Sequence, residues 1–139
     1  MRSPDVPGGE PSLTRVRVRY ADTDQMGVVY YANYLVWFEV GRTELLRARG
    51  WSYRDMEAAG VALPVIEAGC VYHRSSQYDD ELEIGTLASL LSPVRLRFDY
   101  EIVRCADRAR IVTGRTLHAA LNAEGRPCRL PARLKELLT

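Results

Sequence analysis

Between Thr14 and Tyr20, apolar Val16, Val18 and Tyr20 alternate with Arg15, Arg17 and Arg19. A two-residue period puts one set on a dry face and the other in water, so this segment is predicted to be the first strand. The pattern changes after the polar run Asp22-Thr-Asp24-Gln25: from Val28 to Ala48 the chain is rich in apolar residues, lacks proline and has one interior glycine, Gly41. That is too long for an ordinary strand and predicts a helix of about five turns. Leu35, Phe38, Leu45 and Leu46 fall near one stripe, with Val36, Trp37 and Val40 on other faces. A helix apolar nearly all round is expected to be wrapped by other structure. Glycine costs up to about 1 kcal/mol in a helix interior, so Gly41 points to a close approach of another backbone. Gly50 supplies the stop, and Ser52 is placed to cap a short second helix that runs through Ala59 and closes at Gly60.

Beyond Leu63 the period returns to two, predicting strands over about 63–74, 81–91, 95–105 and 109–122. The third is the clearest: Leu96, Phe98, Tyr100 and Ile102 alternate with Arg95, Arg97, Asp99 and Glu101, which implies one dry and one wet face. Ala106-Asp-Arg108 has the length of a hairpin connection, Asn122 to Gly125 reads as a turn, and Pro131 opens a last short helix. Residues 1–12, with three prolines and two glycines, are expected to be a disordered tail ahead of a single domain over 13–139. The order is strand, long helix, then antiparallel strands. It fits an α+β fold in which a curved, mostly antiparallel sheet of five or six strands wraps a long central helix. Such a sheet leaves open edges, and pairing with a second copy is the expected way to cover them.

Composition narrows the function. A chain of 139 residues with 47% apolar side chains is sized for one core. Nineteen Lys and Arg against 18 Asp and Glu leave a net charge of +1, so no global field gathers nucleic acid or an anionic membrane. With no signal-like or membrane-spanning apolar run, the expected location is the cytoplasm. Cys70, Cys105 and Cys128 are odd in number and match neither a metal clip nor a disulfide framework, and they read as buried or incidental thiols. His73 and His118 lie 45 residues apart with no ligand at metal-binding spacing, so neither a metal nor a redox cofactor is expected.

Chemistry concentrates where the first strand ends, an acidic loop follows and the long helix starts. Amides without partners in a first helical turn, together with the positive end of the helix dipole, suit an oxyanion. A carboxylate a few residues upstream can face the same carbon. From physics alone, Asp22 and Asp24 fit either this role or simple capping of the helix.

The motifs decide between these. Asp22-Thr-Asp24, Gly27-Val-Val-Tyr30, Ala32-Asn-Tyr34 and Glu39-Val-Gly-Arg42 occur in order, followed by Ser76-Gln-Tyr-Asp-Asp80 and Arg126-Pro-Cys-Arg-Leu-Pro131. Over about residues 14–132 the chain resembles the hotdog-fold 4-hydroxybenzoyl-coenzyme A thioesterases and the acyl-coenzyme A thioesterases associated with the Tol-Pal system. The resemblance implies hydrolysis of an acyl-CoA thioester, with Asp24 as nucleophile or general base, Asp22 structural, and the backbone N–H of Tyr31 polarising the carbonyl. Tyr30 and Asn33 would line the substrate. Arg95 and Arg126 would contact coenzyme A phosphates, unless they are ordinary solvated arginines. Glu39 and Arg42 would hold a subunit interface rather than act on substrate. Many Tol-Pal-associated members carry histidine where this chain has Tyr31, whereas the 4-hydroxybenzoyl branch carries tyrosine, so the departure blurs the substrate rather than the activity. The resemblance further implies a homotetramer built as a dimer of dimers, with acyl carrier protein as an alternative carrier of the substrate. Against the enzyme stands a non-catalytic acyl-thioester-binding or regulatory hotdog protein. A hotdog dehydratase would bring a histidine and carboxylate on a different part of the helix, which this sequence lacks.

Overall fold

The computed structural model describes residues 10–139. Strands β1 (Ser12–Arg17), β2 (Val65–Tyr72), β3 (Glu81–Ser92), β4 (Arg95–Arg104) and β5 (Arg110–Ala119) form one antiparallel sheet in the order β1-β3-β4-β5-β2. Helices α1 (Asn33–Ala48), α2 (Tyr53–Ala59) and α3 (Ala132–Leu138) complete the chain, with α1 packed on β1, β3 and β4. This is the hotdog arrangement, with five strands. The expected tail falls mostly on residues 1–9, outside the described ones, while Ser12 already pairs with Thr86 in β1.

Two boundaries around the acidic loop differ from the sequence reading. β1 ends at Arg17, and Tyr20–Asp22 form a single 3-10 turn instead of strand. α1 begins at Asn33 rather than Val28, because Val28 and Val29 are extended and bridge Gln77 and Thr23. Gly27 makes this possible. It sits at φ +80°, a conformation that side chains with a Cβ rarely adopt, and it turns the chain back on itself.

α1 is not wrapped all round. Tyr34, Trp37, Phe38, Gly41 and Leu45 are buried, at the three- and four-residue spacing of one stripe, while Leu35 and Val36 stay exposed. Phe38 stacks on Tyr100 of β4 with ring centroids 4.2 Å apart. What crowds Gly41 is side chain rather than backbone: a Cβ there would lie 2.8 Å from Ile84 Cγ2 and closer still to Thr86 Oγ1. The glycine therefore sets how near α1 comes to β3.

β4 also departs from a simple dry and wet alternation. Leu96, Phe98, Tyr100 and Ile102 are buried as expected, but so are Asp99 and Val103 on the other face. Arg97 holds Asp99 through Nε and Nη2 at 2.8–3.1 Å, which keeps the buried carboxylate paired. Ser52 caps α2 as expected: its Oγ accepts from Asp55 N, the Asp55 carboxylate accepts from Ser52 N, and Gly60 ends the helix at φ +66°.

At the far edge, β2 pairs only with β5 and exposes Val65, Ile66, Val71 and Tyr72. Among the described residues, no helix is long and apolar enough to cross a membrane.

Candidate active site

The loop that carries the two aspartates is fixed almost entirely by backbone hydrogen bonds. Asp24 N donates to Val28 O at 2.9 Å, Gly27 N to Asp24 O at 3.0 Å, and Tyr30 N to Asp22 O at 2.8 Å. These closures make a tight hairpin whose far limb runs straight into α1. A second segment braces it from below: Val29 N donates to Ser76 O at 2.9 Å, and Val18 exchanges backbone hydrogen bonds with Asp79 and Asp80. Ser76 is fully buried and shares a 2.7 Å hydrogen bond with Tyr34 OH in the first turn of α1. Tyr20 stacks on Tyr78 at 3.7 Å, closing the outside of the brace.

Within this frame the two carboxylates differ. Asp22 is 6% exposed, and its oxygens accept from Arg19 N, Nε and Nη2 at 2.8–3.2 Å. Burial alone would raise its pKa, but the hydrogen bonds and charge of Arg19 outweigh it and hold the carboxyl below its ordinary range. Its main-chain carbonyl is also occupied, accepting from Tyr30 N and from Asn33 Nδ2 at 2.8 Å. Asp24 is half-buried and has one side-chain hydrogen bond, from Met26 N to Oδ1 at 2.9 Å. Its Oδ2 has no hydrogen-bond partner among the described residues.

Tyr31 sits in the turn just ahead of α1, and its amide has no acceptor among the described residues. Its carbonyl is held by Tyr72 OH at 3.1 Å. Burial, with Cys70 next in effect, pushes the Tyr72 phenol up to about 12, so it remains a donor. Tyr30 and Tyr31 pack ring to ring at 4.7 Å on the open surface beside the loop. The Asn33 side chain is engaged on Asp22 O, which ties the start of α1 to the loop. Asp24, Tyr30, Tyr31 and Asn33 are thus brought together.

Arg95 and Arg126 are not among them. Arg95 opens β4 opposite Ser92 and Ala119, at the end of the sheet away from Glu81 and the aspartate loop. Arg126 lies at that same end, since Cys128 N bonds Ala120 O and Ala120 N bonds Val94 O, both at 2.9 Å. β3 spans the sheet between the two ends, roughly 35 Å at about 3.3 Å per residue. Glu39 and Arg42 form no ion pair with each other. His73 Nε2 is hydrogen-bonded to Thr113 Oγ1, and both ring nitrogens of His118 are occupied by Thr116 Oγ1 and Leu63 O.

Three contributors lay outside the sequence reading: Arg19 as partner of Asp22, Ser76 as the buried brace, and Tyr72 as the anchor of the Tyr31 carbonyl. Ser76 stands in the second motif, which marked the place without its role.

Comparison with known proteins bears on the chain and its fold. A putative acyl-CoA thioesterase, YneP of Bacillus subtilis, is 40% identical over 100 residues, covering 72% of each chain. A 1,4-dihydroxy-2-naphthoyl-CoA hydrolase of Synechococcus elongatus is 32% identical over 124 residues, 87% of this chain and 90% of that one. The crystal structure of a DHNA-CoA thioesterase from Staphylococcus aureus superimposes with a TM-score of 0.80 at 35% identity, covering 86% of this chain and 80% of that one. The sequence profile of the thioesterase-like superfamily matches residues 18–138, nearly the whole described chain, and the protein belongs to that family.

Proposed function

We propose that the protein hydrolyses acyl-CoA thioesters to a free acid and coenzyme A, with Asp24 as the acting carboxylate and the Tyr31 N–H as the carbonyl-polarising donor. The observation that carries this reading is the contrast within one loop. Asp22 is buried and fully bonded, whereas Asp24 Oδ2 and the Tyr31 amide have no partner among the described residues beside the start of α1. As general base, Asp24 takes a proton from water while the water oxygen attacks the thioester carbon; the C–S bond then breaks and the thiolate leaves. As nucleophile, it attacks directly and water cleaves the resulting anhydride. Either route develops charge on the carbonyl oxygen, where a fixed amide is worth roughly 3 kcal/mol of barrier.

The site is shared between subunits. β2 is an open edge whose Tyr72 end lies with the aspartate loop and whose Val65 end lies with Arg95. Two copies pairing antiparallel across β2 set the aspartate end of one against the arginine end of the other, where Arg95 and Arg126 can meet the coenzyme A phosphates. A dimer of such dimers is the expected final state.

The direct experiment is to incubate purified protein with a panel of aliphatic and aromatic acyl-CoA esters and follow free thiol with a reactive dye. Turnover of at least one ester is expected. Tight binding across the panel without thiol release would favour the non-catalytic binding protein instead.

A further inference from the structure

A cavity of about 560 Å³ lies between the C-terminal half of α1, α2 with the loop to Leu63, and the inner face of the sheet. That volume is within the roughly 300–1,000 Å³ of small-molecule sites. Leu46, Trp51, Met56, Leu63 and Phe98 make most of its wall apolar. Arg42 and His118 also line it, joined by a polar relay through the buried Tyr100 and Thr116. Arg42 Nη1 is 3.4 Å from Tyr100 OH, Tyr100 OH is 2.6 Å from Thr116 Oγ1, and Thr116 Oγ1 is 2.9 Å from His118 Nε2.

The direction of this relay follows from its ends. Leu63 O accepts only, so His118 Nδ1, 2.9 Å away, carries the proton. Burial, aided by the charge of Arg42 and opposed by the Leu63 carbonyl, holds His118 below its ordinary pKa, so Nε2 is an acceptor at neutral pH. Thr116 therefore donates to His118, Tyr100 to Thr116, and Arg42 to Tyr100. Every member but the first is satisfied. Arg42 uses one N–H in a long hydrogen bond, and no carboxylate among the described residues is within ion-pair distance of it. A half-buried guanidinium beside an apolar cavity is costly without an anion.

The surface of α1 leads from this place toward the aspartate loop. Leu35, Glu39, Arg42 and Leu46 lie within about 60° of one another around α1, a stripe that begins near Tyr31 and ends at the cavity. From Asn33 to Arg42 the helix rises about 14 Å.

We infer that the cavity receives the far end of the acyl group and that Arg42 selects acyl chains ending in a carboxylate, so the preferred substrates are medium-length ω-carboxyacyl thioesters. This rests on the thioesterase reading above. It makes Arg42 a specificity residue that pairs with substrate through the fork geometry arginine offers a carboxylate.

The test compares kcat/KM for octanedioyl-CoA with octanoyl-CoA, and for octanoyl-CoA with acetyl-CoA, in the wild type and in Arg42→Met and Thr43→Trp. Thr43 is exposed at the cavity rim. The wild type is expected to prefer the octanedioyl ester by at least about tenfold, and Arg42→Met to bring that ratio to about one. Thr43→Trp is expected to lower the ratio of octanoyl to acetyl turnover about tenfold by filling the cavity, and it carries the test if Arg42→Met fails to fold by circular dichroism. A wild type that turns over both eight-carbon esters equally, a preference that survives Arg42→Met, or a chain-length ratio unmoved by Thr43→Trp would overturn the inference. Failure to hydrolyse any ester would instead count against the thioesterase reading itself.

Discussion

The two ends of the sheet hold their charges in opposite ways. At the aspartate end, Arg19 neutralises the buried Asp22, while Asp24 Oδ2 has no hydrogen-bond partner among the described residues. At the other end, Arg95 and Arg126 are exposed, with no carboxylate partner among the described residues. Asp24 and the two arginines thus stand at opposite ends of one protomer's sheet. In the proposed pairing of antiparallel copies the two sets meet in one site, with the protomer's charges as its halves.

The largest effect is expected at the free carboxylate. Asp24→Asn keeps the shape and removes the base, so kcat should fall by about 10²–10⁴-fold with no change in melting temperature. Full activity in this variant, or loss only through unfolding, would remove Asp24 from the chemistry. Asp22→Asn tests the other half of the contrast: it breaks three charge-assisted hydrogen bonds in a buried place and should cost about 1–3 kcal/mol in denaturant unfolding. Its kcat, measured below the transition, should fall less than about tenfold. Equal losses of kcat in the two variants would erase the distinction between a frame and an acting group.

A smaller effect is expected in pH dependence. His118 is held below its ordinary 6.5, so between the two values the unfolded chain binds more protons than the folded one. Stability should therefore decline as pH falls from about 7.5 through the ordinary histidine value, levelling only once the folded state also protonates. In His118→Gln this part of the slope should vanish, as read by urea unfolding at several pH values, and an unchanged slope would place the titration elsewhere. The smallest effect is expected at Tyr31→Phe, within about threefold of wild type, because the backbone N–H is untouched. A loss above about 100-fold, roughly 2.7 kcal/mol, would make the phenol a catalytic donor.

Much of this was legible in the sequence. The two-residue period of Leu96 to Ile102 located β4, the Ser52 and Gly60 signals bounded α2, and the motif around Asp24 marked the candidate site. What escaped was set by partners distant in sequence. Val28 and Val29 look helical by composition, but Ser76 and Gln77 hold them extended, which moved the helix start to Asn33. Asp99 sits where alternation predicts water, yet Arg97 lets it be buried. No local pattern could place Arg95 and Arg126 at the opposite end from Asp24, because that follows from strand register alone.

The shared site is tested most directly by subunit mixing. Asp24→Asn and the double variant Arg95→Ala with Arg126→Ala are each purified, shown to be impaired at low substrate, then unfolded together and refolded as a mixture. If each site takes Asp24 from one protomer and the arginines from its partner, every hybrid dimer contains one site with neither lesion. Half the dimers in an equal mixture are hybrids, so activity should recover to about one quarter of wild type. Activity no higher than the average of the two variants refolded separately would show that each protomer's site is its own, and would contradict the shared site.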